Sequence, residues 1–149
     1  MPASPKIALA ILNDNPSSTA EMKAIEFCAA QGIPLHVLLI ADTQFAKYGY
    51  VDQLAPGSSK EEFVDYVQKE TEAFMANAEE RLGKYSVESV IHRQEGRYVK
   101  TISAWTLDNE VTQLFVGQSP KKGLMKLKQS LAEKIQQACQ CDVQIISNE

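Results

Sequence analysis

Two short runs near the start of the sequence are almost wholly apolar, and they constrain the fold more than any other feature. They cover residues 7–12 and 34–41. Short apolar runs without polar alternation are typical of strands that are covered on both faces. A helical pattern with Ala24, Phe27 and Cys28 at helical spacing lies between them and stops at Gly32. A strand, a helix and a strand in this order predict a parallel sheet with helices against it.

The remaining sequence continues the same alternation. Because every strand is followed by a helix or by the end of the sequence, we expect an α/β fold with an open parallel five-stranded sheet and helices on both faces. Residues 1–149 are expected to form one domain of ordinary size. The further expected strands are 87–92, 112–116 and 143–146, and the expected helices are 20–31, 60–84, one that follows Gly96-Arg97-Tyr98, and 123–140.

The overall charge and hydropathy argue against several classes of protein. The net charge is −4, which does not favour a nucleic-acid partner. No apolar run approaches the ~20 residues that cross a membrane, so no membrane partner is expected. Residues 1–6 lack the pattern of a secretory signal, and the expected location is the cytoplasm.

Several residues that carry reactive or aromatic side chains are expected to be structural. The three cysteines have no framework spacing and are predicted to be buried or incidental thiols. His36 and His92 have no nucleophile at motif spacing and are predicted to be packed or surface residues. Trp105 is predicted to pack in the core.

The element order and several local motifs resemble the universal stress protein family, an adenine nucleotide α-hydrolase-like fold. The resemblance extends from Lys6 to Ser147. It implies a regulatory, non-enzymatic stress-response domain, a possible ATP or AMP ligand, and a homodimer built on the terminal strand. The motifs that carry it are the alanine-rich helix 24–32, the strand 35–42, the glycine turn 96–102, and the segments 116–117, 123–124 and 130–135.

The loop after the fourth strand departs from the family's phosphate-binding pattern, G-x2-G-x9-G-[ST]. Val116-Gly117 matches its start, but position 120 is proline, which has no N–H to donate. At the second pair the chain has Ser130-Leu131 or, with a one-residue deletion, Gln129-Ser130. Two glycines are missing in either alignment, and Ser130 is the candidate for the hydroxyl role.

Other residues of this loop are candidate phosphate contacts. Gln118 and Ser119 are the first polar residues after Gly117, and Lys121 is the first basic one. Lys121, Lys122, Lys126 and Lys128 crowd one segment, and a bound anion would neutralise them. A solvated basic surface is the alternative interpretation.

ATP-binding relatives carry an aspartate near the end of the first strand. Without a gap this chain has Leu12 there, and with a short insertion it has Asn13 or Asp14, of which we prefer Asp14. The resemblance also implies that the backbone of Ile40 contacts the base. Asp14 and Asp42 suit Mg²⁺ only together with a nucleotide, or they cap turns.

Three functions remain open from the sequence. The first is the regulatory domain with weak, non-hydrolytic binding of ATP or AMP. The second is an interaction module of the same fold that dimerises through its C-terminal edge strand independently of nucleotide. The third, an ATP-using enzyme, lacks a second catalytic motif in the sequence.

Overall fold

Strands and helices alternate throughout the part of the chain that the computed structural model describes, which comprises residues 5–13, 18–43, 60–118 and 129–147. In chain order the elements are β1 (Ile7–Leu12), α1 (Ser18–Gln31), β2 (Leu35–Ala41), α2 (Lys60–Gly83), β3 (Ser89–Glu95), α3 (Tyr98–Asp108), β4 (Gln113–Gln118), α4 (Leu131–Ala138) and β5 (Asp142–Ser147).

The five strands form one sheet in the order β3-β2-β1-β4-β5. Every neighbouring pair is parallel, which confirms the predicted α/β fold. β1 is central: Leu12 pairs with Ile40 of β2 on one side, and Ala10 pairs with Val116 of β4 on the other. The strand order reverses between β1 and β4, and a crevice for a ligand is expected at the carboxyl ends of such strands.

Each face of the sheet has its own apolar core. Alternate residues of β1 point to opposite faces, so that Leu9 lies in one core and Ala10 in the other. The first face is covered by α1 and α2, chiefly through Ala20, Ala24, Cys28, Met75, Ala78 and Leu82. The second face is covered by α3 and α4, chiefly through Tyr98, Ile102, Trp105, Ala132 and Ile135.

The residues that were expected to be structural pack as predicted. Trp105 is buried in the second core, which confirms its core role. All three cysteines are free thiols: Cys28 and Cys139 are buried, and Cys141 is partly exposed. Burial raises the pKa of the Cys28 thiol to about 11, so this thiol is protonated and inert at neutral pH.

Two predicted boundaries are wrong. The third strand runs from Ser89 to Glu95 rather than over 87–92, because its polar second half is held by backbone pairing to β2 and not by burial. The last helix is not continuous over 123–140, since residues 129 and 130 are not helical; residues 123–128 lie outside the described part of the chain. Ser130 is extended (φ −74°, ψ 165°) and caps a helix that begins at Leu131 and ends at Ala138.

The two edges of the sheet are β3 and β5, so the terminal strand lies at an edge as expected. The N–H of Asp142 donates to the carbonyl of Thr112, the residue before β4, and the neighbouring carbonyl of Val143 therefore points away from the sheet. That carbonyl accepts a hydrogen bond from the Gln136 side chain at 3.2 Å. Within the described ranges, no helix combines the length and apolarity that crossing a membrane requires.

Candidate ligand site at the carboxyl edge of the sheet

Asn13 follows β1 directly and joins three elements at the carboxyl edge. Its N–H donates to the carbonyl of Ile40 at 3.1 Å. Its side-chain Oδ1 accepts the backbone N–H of Asp42 at 3.2 Å and the hydroxyl of Tyr98. Because both partners donate to the oxygen, the N–H groups of the Asn13 amide are the part of this side chain that suits a ligand acceptor.

The start of α3 is fixed to the same edge by Gly96. The Gly96 N–H donates to the carbonyl of Ala41 at 3.0 Å. Gly96 has a φ of +149°, and a Cβ at this position would lie 2.5 Å from the Thr101 Oγ1. Only glycine therefore fits the turn that brings Tyr98 to Asn13.

The three candidates for the family's aspartate position differ sharply in the structure. Leu12 is 3% exposed and belongs to the second core, so its side chain is unsuited to a polar ligand contact. Asn13 lies at the rim. Asp14, which the sequence favoured, lies outside the described residues.

Ile40 is placed at the rim by its backbone only. Its side chain is fully buried in the second core. Its carbonyl already accepts the N–H of Asn13 and keeps one lone pair for a further donor. A contact between Ile40 and a base therefore requires the backbone, as the resemblance implies.

A groove of about 300 Å³ opens beside Asn13. Its other wall is α2, which contributes both apolar and polar side chains. This volume is at the lower end of the range of small-molecule sites. The helix residues that line it include Val67, Thr71, Phe74 and Asn77.

The end of β4 forms the opposite rim of the crevice. Val116 is fully buried, and Gly117 is buried and pairs with Ile146 of β5. Both residues therefore belong to the strand, which ends at Gln118. Ser119 and Lys121 lie outside the described residues.

Ser130 caps the N-terminus of α4 and also contacts β4. Its hydroxyl accepts the N–H of Glu133 at 3.1 Å, and its own N–H donates to the Glu133 carboxylate at 3.2 Å, which completes a capping box. The same hydroxyl donates to Gln118 Oε1 at 2.6 Å. We call Gln118, Ser130 and Glu133 the clasp.

The structure brings some of the predicted residues together and shows partners that the sequence reasoning missed. Asn13 and Ile40 share one rim, while Val116, Gly117 and Ser130 lie along the other. The roles of Tyr98, Gln118 and Glu133 were missed. Ser130-x-x-Glu133 is itself a capping-box signature, so the start of α4 was visible in the sequence.

A metal site built by the protein alone finds no support in the described ranges. No three side chains of His, Cys, Asp or Glu are grouped there in a way that suits a metal ion. Magnesium ions bound with nucleotides commonly take only one or two carboxylates and complete their shell with phosphate and water.

Comparisons with known proteins agree with this architecture. A protein of the universal stress protein family from Burkholderia pseudomallei is 18% identical, with 97% of this chain and 98% of that chain covered and a TM-score of 0.63. A family protein from Arabidopsis thaliana with AMP bound is 14% identical, with coverages of 97% and 93% and a TM-score of 0.61. A universal stress protein from Archaeoglobus fulgidus in complex with dAMP is 16% identical, with coverages of 96% and 98% and a TM-score of 0.55.

At these identities the solved structures show the fold alone. Comparison with curated protein sequences gave no significant match. The model of the universal stress protein family, in contrast, matches residues 4–147. With nearly the whole chain covered by that model and the expected sheet in place, the chain belongs to the universal stress protein family.

Proposed function

We propose that this protein is a regulatory stress-response domain that binds an adenine nucleotide weakly and does not turn it over. The observation that carries the proposal lies at the reversal of strand order, where Asn13 bonds to the Ile40 carbonyl and also lines a groove of about 300 Å³ against α2. Support comes from the two relatives whose structures contain AMP and dAMP.

Each rim of the crevice receives one end of the ligand in this proposal. The Asn13 amide and the Ile40 backbone hold the adenine and ribose, with Asp14 beside them. The phosphate side is formed by Val116, Gly117, Ser119, Lys121 and Ser130. The ligand is ATP or AMP, and Mg²⁺ binds only together with its phosphates.

The direct test is binding of AMP and of ATP with Mg²⁺ to the purified full chain, by calorimetry and by thermal shift. We expect dissociation constants in the micromolar to millimolar range and a weaker affinity in Asn13→Ala, which removes the amide donors. Gln140→Ala is the matched control, because it removes an exposed amide outside the crevice. Absence of heat and of thermal stabilisation at millimolar nucleotide would refute the proposal.

The second candidate function is a dimeric interaction module that works without nucleotide. This candidate is favoured because a polar atom on each rim is already bonded to protein and not available to a ligand. These atoms are the Asn13 side-chain oxygen and the Ser130 hydroxyl. In this case β5 pairs with a second copy through its outward backbone groups.

This candidate is tested by measuring the oligomeric state with and without nucleotide. Ile145→Pro removes an N–H that points away from β4, and we expect it to give a monomer by light scattering, whereas Ile145→Ala leaves a dimer. A nucleotide-independent module keeps the same mass with and without ATP. A change of mass on addition of ATP contradicts it.

A further inference from the structure

The hydroxyl of Ser130 has no proton left for a ligand. A serine hydroxyl donates one hydrogen bond, and in this structure it donates to Gln118 Oε1 at 2.6 Å. One of its lone pairs accepts the N–H of Glu133 at 3.1 Å. A phosphate that needs this hydroxyl as a donor must first displace the amide oxygen of Gln118.

The N-terminus of α4 also carries a built-in negative charge. The Glu133 carboxylate accepts the Ser130 N–H at 3.2 Å, in the position where a helix N-terminus attracts an anion. This carboxylate satisfies one donor and offsets the positive end of the helix dipole. A second anion at the same place meets repulsion instead of an unsatisfied helix end.

The end of β4, where Gln118 of the clasp lies, adds few hydrogen-bond donors for a phosphate. Gly117 is buried inside β4 and pairs with Ile146, and Gln118, the last residue of the strand, is committed through its side chain to Ser130. Pro120 has no backbone N–H. Proline at position 120 therefore removes one backbone donor that a glycine there would offer to a phosphate.

We propose that the clasp takes the place of a terminal phosphate, so that the crevice prefers adenosine or AMP to ATP. This inference rests on the proposed adenine-nucleotide function. Gln118 supplies the oxygen that Ser130 would otherwise donate to, and Glu133 supplies the negative charge. The lysines that begin with Lys121 favour additional phosphates. The experiment therefore measures whether this attraction or the clasp has the larger effect on the affinity for ATP.

The test measures dissociation constants of adenosine, AMP and ATP for the full chain by calorimetry at fixed ionic strength. In the unmodified protein we expect AMP to bind about five-fold tighter than ATP. Glu133→Gln keeps the capping-box geometry and removes the charge, and it should tighten ATP about five-fold while the affinity for adenosine stays the same. Glu26→Gln removes an exposed carboxylate of α1 and serves as the control.

Gln118→Ala is the second variant, and it keeps the test valid if Glu133→Gln folds poorly. It frees the Ser130 hydroxyl, so ATP should again tighten and adenosine should not. A preference for ATP in the unmodified protein, with ATP affinity unchanged in both variants, overturns the clasp and leaves the nucleotide function standing. If adenosine, AMP and ATP all fail to bind, the proposed function itself is refuted.

Discussion

The two faces of the sheet accommodate charge in opposite ways. On the first face, Glu21 is 3% exposed, and its carboxylate accepts hydrogen bonds from Arg81 at 2.8–3.1 Å and from the Tyr85 hydroxyl at 2.9 Å. On the second face, the rings of His36 and His92 stack with centroids 5.9 Å apart. The Nδ1 of His36 and the Nε2 of His92 are buried without a hydrogen-bond partner in the structure.

This difference decides which face tolerates charge. The hydrogen bond to Glu21 raises the pKa of the Arg81 guanidinium, which stays charged at every relevant pH. Burial lowers the pKa of His36, and the charges of Lys6 and His92 lower it further. Burial and Lys6 likewise lower the pKa of His92. The first face is therefore stabilised by a compensated charge, and the second by the neutral form of its histidines.

The largest expected effect comes from removing the side chain that covers the histidines. The ring of Trp105 meets that of His92 edge-on, with centroids 5.1 Å apart. Trp105→Ala should lower the free energy of unfolding by about 3–5 kcal/mol, measured in urea at pH 7.5. Tyr66→Ala, at a residue of α2 that is 61% exposed, is the control. Equal losses in the two variants would contradict a packed second face.

Breaking the ion pair of the first face should have the next largest effect. Arg81→Met leaves the Glu21 carboxylate buried without its cation, and we expect a loss of about 2–3 kcal/mol. This is below the cost for a fully buried pair, because the Arg81 side chain is 48% exposed. Arg93→Met, which breaks an exposed pair with Glu72 and Glu79, should cost much less. A larger loss of unfolding free energy in Arg93→Met than in Arg81→Met would contradict the larger stabilisation that we assign to the pair with the buried carboxylate.

The cap of α4 is a fully paired polar group beside the second face, and removing it should cost about 1 kcal/mol. Ser130→Ala leaves the Glu133 N–H without its acceptor and the Gln118 oxygen without its donor. Ser103→Ala removes a hydroxyl that bonds only within α3 and should be close to neutral. Urea unfolding of both variants at pH 7.5 makes the comparison.

The smallest effect is a pH dependence that belongs to the second face. Because the folded state lowers the pKa values of His36 and His92, the unfolded chain binds more protons once the pH falls near 6.5, and stability is lost as the pH falls further. Unfolding free energies between pH 7.5 and 5.5 should therefore decline. The decline should flatten in a variant with His36→Gln and His92→Leu. The same slope in that variant would assign the pH dependence to other groups.

Much of the fold could be predicted from the sequence because strands that are covered on both faces form continuous apolar runs. The runs 7–12 and 34–41 became β1 and β2, with only the first residue of the second run outside the strand. β3 was misjudged because an edge strand needs little apolar surface: Arg93, Gln94 and Glu95 extend it through backbone pairing alone.

The candidate site was predictable in its location and not in its bonding. The family resemblance placed Asn13 or Asp14 near the end of the first strand, and Asn13 lies there at the carboxyl edge of the sheet. The hydrogen bond between Tyr98 and Asn13 joins residues 85 positions apart, and no local pattern encodes it. The bond between Gln118 and Ser130 likewise spans 12 positions. Such contacts depend on how α3 and α4 pack onto the sheet.

The hydrogen bond from Gln136 to the carbonyl of Val143 has a consequence for how copies of this protein assemble. It occupies one outward acceptor at the beginning of β5, where an incoming strand would start to pair. A strand that approached the beginning of this edge would find that acceptor already bonded, so we expect Gln136 to disfavour continuous pairing of β5 with the strands of other copies.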